Sequence, residues 1–200
     1  MEYWNDIIIE RSWKILQELK GKFSFILVGG WAIYLWTKKF KSKDIDIIVD
    51  FDTLDKLKKE YDLRKNETLK KYEIKINEVD IDIYTAFYSE LAISVEQIRS
   101  TKIEGFDVVR TEELLILKQG AEIDRKESEK GEKDRLDILS LLFYCDIKFD
   151  EYFKILKKIN REYFYDRLIK VVKDFNEYKY FNMTPRQLKL KKNEILGKLK

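Results

Sequence analysis

Two aspartates one residue apart, Asp44 and Asp46, are the groups of this 200-residue chain best placed to do chemistry; they lie in the run Lys43-Asp44-Ile45-Asp46-Ile47-Ile48-Val49-Asp50. Residues i and i+2 of a strand point to one face, roughly 6.6 Å apart along the chain, so both carboxylates address the same space. Ile45, Ile47 and Val49 give the other face to a core. Carboxylates held this close oppose each other's ionisation, and a divalent cation removes that cost. Mg²⁺, or Mn²⁺ in its place, takes one or two protein carboxylates plus phosphate oxygens and water. In two-metal phosphoryl chemistry the ions stand about 3.5–4 Å apart, and an acid from a neighbouring strand would complete such a site.

Val79-Asp80-Ile81-Asp82-Ile83-Tyr84 supplies that third acid, and spacing alone fits Asp80 and Asp82 equally. A glycine pair adds a second element: a strand over residues 23–28 runs into Gly29-Gly30 and then into a helix expected over 31–37. Missing β-carbons let backbone N–H groups approach a triphosphate, and a helix N-terminus favours negative charge there. The plainer reading is a tight strand-to-helix turn. Ser42 either hydrogen-bonds a phosphate or caps the turn into the aspartate strand.

Periodicity gives the elements that must hold these groups. Trp4, Ile7 or Ile8, Arg11, Ile15 and Leu19 predict an amphipathic first helix. Thr53 is the expected N-cap of a surface helix that follows the Asp44 strand. Tyr72 to Ile76 alternates as a strand, and Asn77-Glu78 turns it into the Asp80/Asp82 strand as a hairpin. Residues 106–109 are a weaker strand. From Thr111 the pattern is helical, with helices expected from Thr111, over 133–144, 149–160 and 162–174, and a last one opened by Pro185. Residues 1–110 therefore read as an α/β front and 111–200 as a helical back, with the charged link 124–132 between two of its helices.

The order strand, Gly29-Gly30, helix, Ser42-Lys43-Asp44-Ile45-Asp46, then a later hydrophobic-Asp-hydrophobic strand resembles the minimal core of the nucleotidyltransferase superfamily, which includes DNA polymerase β and kanamycin nucleotidyltransferase. That superfamily usually carries Gly-Ser after its first strand. Gly29-Gly30 is similar to the variant of the AbiEii-like prokaryotic nucleotidyltransferases. Lys118-Gln119-Gly120-Ala121, Arg125 and Lys133-Asp134 with Asp137-Ile138 resemble the helical segment of that subfamily, so the likeness spans about residues 23 to 142.

The resemblance implies an α+β fold: a small mixed β-sheet nucleotidyltransferase core flanked by helices, with an all-helical C-terminal region. It implies transfer of a nucleoside monophosphate from an NTP to an acceptor, with pyrophosphate released. Asp44 and Asp46 would hold two Mg²⁺ ions. Asp82, whose Asp82-Ile83-Tyr84 matches the subfamily's Asp-hydrophobic-Tyr, would hold the ion that activates the acceptor. Gly29 and Gly30 would cradle the β and γ phosphates. Lys118 and Lys133 would approach the nucleotide from the helical half, with Asp134 holding one of them and Arg125 a lesser candidate. The likeness further implies an acceptor such as tRNA or a protein, and a cognate antitoxin as partner. The alternative is a non-catalytic protein of the same fold that binds a nucleotide or a partner protein; the retained acids argue against it.

Composition sets the limits. With no histidine and only Cys145, a structural zinc site and every histidine-based triad are excluded, leaving carboxylates, lysines and metal. A single cysteine and an N-terminus without a secretory leader fit a cytoplasmic protein, and no apolar run is long enough to predict a membrane span. Net charge is +3, yet Arg186, Lys189, Lys191, Lys192, Lys198 and Lys200 face only Glu194 near the C-terminus. That segment reads as a polyanion contact or as a packing helix, with Leu188, Leu190, Ile195, Leu196 and Leu199 apolar and a lysine rim.

Overall fold

The computed structural model describes residues 2–199, with side chains from Asp6 onward; Lys200 and the side chain of Trp4 lie outside the described residues. In chain order the elements are α1 (Glu2–Lys22), β1 (Ile26–Val28), α2 (Gly29–Thr37), β2 (Ile45–Ile48), α3 (Phe51–Glu60), β3 (Arg64–Asn66), β4 (Lys71–Ile76), β5 (Val79–Tyr84), β6 (Ser100–Ile103) and β7 (Phe106–Val109). The helices α4 (Thr111–Arg125), α5 (Glu129–Tyr144), α6 (Phe149–Lys158), α7 (Tyr163–Asp174) and α8 (Pro185–Lys198) follow.

Among the described residues seven strands form one mixed sheet in the order β3-β4-β5-β2-β1-β7-β6. At its centre β2 runs antiparallel to β1 and parallel to β5. The apolar alternates of these strands are buried: Leu27, Ile45, Ile47, Ile81 and Ile83 have 0–1% exposure. That burial leaves the aspartates on the opposite face, as the period of two requires. Helices α4 and α5 pack against α2, so one apolar cluster runs from the sheet into the helical half.

Several boundaries differ from the sequence pattern. The first strand is only Ile26–Val28, because α1 continues to Lys22. Helix α2 starts at Gly29 itself, so the glycine pair forms its first turn and does not precede it. Asp50, not Thr53, caps α3: its carboxylate accepts from the Thr53 backbone N–H at 2.7 Å. The residues between α4 and α5 are fewer than expected, since α4 runs to Arg125 and Ser128 caps α5 by accepting from Gly131 N–H. Arg110, with no side-chain cap bond, stands at the N-cap of α4, and Thr111 lies inside the helix. In α8, Pro185 takes the first position and Thr184 with Gln187 forms a reciprocal capping box. Leu188, Ile195 and Leu199 are buried there, but Leu190 is exposed, so the apolar stripe is narrower than expected.

Candidate active site

Asp46 and Asp82 are direct register partners on the parallel strands β2 and β5. Neighbouring strands lie about 4.8 Å apart, so the two carboxylates leave the same face side by side. Asp44, just ahead of β2, is exposed at the edge of this face, whereas Asp46 is half-buried. Asp80 sits at the exposed start of β5 and pairs with Lys75 at 3.2 Å. The structure therefore brings Asp82, and not Asp80, beside Asp46.

The glycine pair explains how Asp46 and Ser42 come so close to α2. Gly29 has φ +65°, and a β-carbon there would overlap the Asp46 carboxylate. A β-carbon on Gly30 would stand 2.5 Å from Ser42 Oγ. Both glycines are thus required by side chains of the β2 approach, Asp46 and the buried Ser42, packing on the first turn of α2. Lys133, on α5, brings its Nζ to 3.9 Å from that same Gly30 position.

Three cations surround the acids. Lys118 on α4 is buried and pairs with Asp137 at 2.6 Å and Asp134 at 3.4 Å. Burial alone would lower its pKa, but Asp137 and Asp134, with Asp46 beyond them, outweigh it and push Lys118 up to about 12. It is a fixed positive charge. Arg125 donates to Asp134 at 2.7 Å, so Asp134 holds both Lys118 and Arg125. Lys71, at the start of β4, contacts Asp82 at 2.6 Å and Glu73 at 3.0 Å.

The acids themselves are strained electrostatically. Burial raises Asp46 above its ordinary value; Lys118 counters this and the neighbouring Asp44 adds to it. Burial and then Asp46 raise Asp82 to about 6, against the Lys71 contact. Tyr84 OH donates to Asp46 at 3.4 Å, and its own ionisation is suppressed by burial and by Asp46 and Asp82.

Sequence reasoning did not single out Lys71 or Glu73, and it named Asp137 only within the helical segment of the resemblance, with no role of its own. Lys71 and Glu73 could have been found from the hairpin, since folding Tyr72–Ile76 back on the Asp82 strand sets Glu73 opposite Asp82. Asp137 is visible at i+3 from Asp134 on one helix face.

Among the described residues no three acidic, cysteine or histidine side chains stand close enough to form a ready-made metal cluster. The donor set is nonetheless that of a hard cation: carboxylate oxygens from Asp44, Asp46 and Asp82, with neither Asp44 nor Asp46 in an ion pair among the described residues. Asp44 and Asp46, on one face of the β2 approach and without a cationic contact among the described residues, fit a divalent ion, while Asp82 beside them already contacts Lys71.

No protein-family model matches the chain, and no curated protein does. Among solved structures, a Helicobacter pylori protein described as a proposed nucleotidyltransferase superposes with a TM-score of 0.50 at 16% identity, covering 100% of this chain and 95% of its own. JHP933 from Helicobacter pylori gives 0.48 at 16% identity, covering 100% and 92%. The Megavirus polyadenylate synthase gives 0.45 at 16% identity over 86% of this chain and 39% of its own. The chain has the nucleotidyltransferase fold. Among the described residues no helix is long and apolar enough to cross a membrane.

Proposed function

We propose that this chain is a metal-dependent nucleotidyltransferase that moves a nucleoside monophosphate from an NTP to an acceptor hydroxyl. The register pairing of Asp46 with Asp82 is the observation that carries this reading. Asp44 and Asp46 would hold Mg²⁺ or Mn²⁺ together with the triphosphate, Asp82 standing on the acceptor side. When bound, the ion supplies polarisation of the α-phosphate and neutralises charge on the leaving group.

The chain's own residues do the rest. The acceptor oxygen bonds to the α-phosphorus as the bond from that phosphorus to the α–β bridging oxygen breaks, and the electron pair leaves with pyrophosphate. Asp82 accepts the hydroxyl proton; a carboxyl pushed up to about 6 is suited to that near neutral pH. Lys118 and Lys133 aim positive charge from the helical side toward the departing pyrophosphate, and Asp134 and Asp137 keep Lys118 in place. An RNA or a protein is the acceptor class this reading carries forward.

The test is incubation with each α-labelled triphosphate in turn, with total RNA, cell protein and small hydroxylic acceptors. Label transfer by the native protein, lost in Asp44→Asn and Asp46→Asn, is the expected result. Silence with every acceptor would overturn the enzyme in favour of a nucleotide-binding protein.

A further inference from the structure

The two in-register acids of the site are not equivalent. Among the described residues Asp46 has as its direct polar side-chain contact only the Tyr84 hydroxyl, at 3.4 Å. Asp82 already carries an ammonium group on one oxygen: Lys71 Nζ lies 2.6 Å from its Oδ2.

Lys71 is held there by construction. The antiparallel β4–β5 register sets Glu73 opposite Asp82, and Lys71, two residues before Glu73, shares its face. Its Nζ also meets Glu73 at 3.0 Å, and Glu73 accepts from Asn66 at 2.9 Å. The Lys71 side chain is only 13% exposed, in a chain whose lysines mostly stand in solvent. A flexible four-carbon side chain fixed by two carboxylates and packed against the sheet is a built contact.

We propose that Lys71 is a resident counter-cation for Asp82 that supplies the positive charge on the acceptor side, so that the chain takes one divalent ion with its nucleotide where the two-metal arrangement would take two. This rests on the nucleotidyltransferase reading above and deepens it. Asp44 and Asp46, without a lysine partner among the described residues, are left as the ion's site. Lys71 acts through Asp82 and is a positioning residue: it holds the carboxylate toward the acceptor and lets it take a proton without a second metal.

The experiment counts ions. Mn²⁺ bound per protein is measured by electron paramagnetic resonance on the full chain with the α,β-methylene analogues of ATP, CTP, GTP and UTP in turn. One ion per nucleotide complex is expected for the native protein, two for Lys71→Met and one for Lys71→Arg, which restores the cation. Two ions in the native complex, or one in Lys71→Met, would overturn the role of Lys71 and leave the nucleotidyltransferase reading standing. Failure of every analogue to bring Mn²⁺ to the native protein would overturn both. The native count decides even where Lys71→Met does not fold.

Discussion

The Asp46 carboxylate occupies the space that a β-carbon on Gly29 would need. The backbone of Gly29, at φ +65°, is also one that L side chains adopt at a cost of about 1–2 kcal/mol. Gly29→Ala therefore combines backbone strain with displacement of a site acid. Thermal unfolding is expected to show a loss of about 2 kcal/mol, and label transfer to fall further than that loss of folded protein accounts for. Unchanged transfer in a folded Gly29→Ala protein would contradict the packing of Asp46 as a functional contact.

Asp80 and Asp82 look alike in sequence but differ in surroundings. Asp80 is an exposed partner of Lys75, and such surface pairs contribute about 0–1 kcal/mol. Asp80→Asn should leave stability and transfer near native. Asp82→Asn should lower transfer by about 100-fold or more, the scale of one lost transition-state charge contact. Parallel rate measurements on the two variants check this directly.

Lys118 neutralises two buried acids. Lys118→Met leaves Asp134 with Arg125 alone and Asp137 without its cation, and breaking a buried pair from one side costs about 3–5 kcal/mol. Urea denaturation should show that loss, and Lys118→Met/Asp137→Leu should recover part of it because no unpaired Asp137 charge remains. Equal destabilisation of single and double variants would contradict the account.

The raised carboxyl of Asp82 sets a pH dependence of stability. Between its ordinary 3.8 and about 6, the folded protein keeps a proton that the unfolded chain has released. Bound protons then favour the folded state, so this group's contribution falls as pH rises through that window, and its full cost persists above about 6. Asp82→Asn removes the titration. Its stability relative to native should improve by about 1–3 kcal/mol between pH 4 and pH 7, whatever constant offset the lost Lys71 contact adds. A pH-independent difference would show that Asp82 is not desolvated as the structure has it.

Much of this site can be read from residue order, because a period of two in Asp44-Ile45-Asp46 and Asp80-Ile81-Asp82 fixes which side chains share a face. The Asn77-Glu78 turn was equally legible, and both residues adopt positive φ there. The strands β3 and β6 were not, being short, polar and at the sheet edges, where no apolar alternation marks them. The choice between Asp80 and Asp82 depends on strand register, which two separate hydrophobic patterns do not specify. The role of Lys71 is hidden in the sequence for the same reason: its partner lies eleven positions away and is set by pairing, not by spacing. The glycine pair was visible, but its reason was not, since only the folded chain shows Asp46 and Ser42 pressed on α2.

The central claim is that Asp44 and Asp46 hold a divalent ion beside Asp82. Crystals of the native protein soaked with Mn²⁺ and an α,β-methylene triphosphate, read at the manganese absorption edge, test it most directly. The account predicts an anomalous peak bonded to Asp44 and Asp46 and to the nucleotide phosphates, with Lys71 still on Asp82. A peak away from both aspartates, or bound nucleotide with no manganese between it and them, would contradict it.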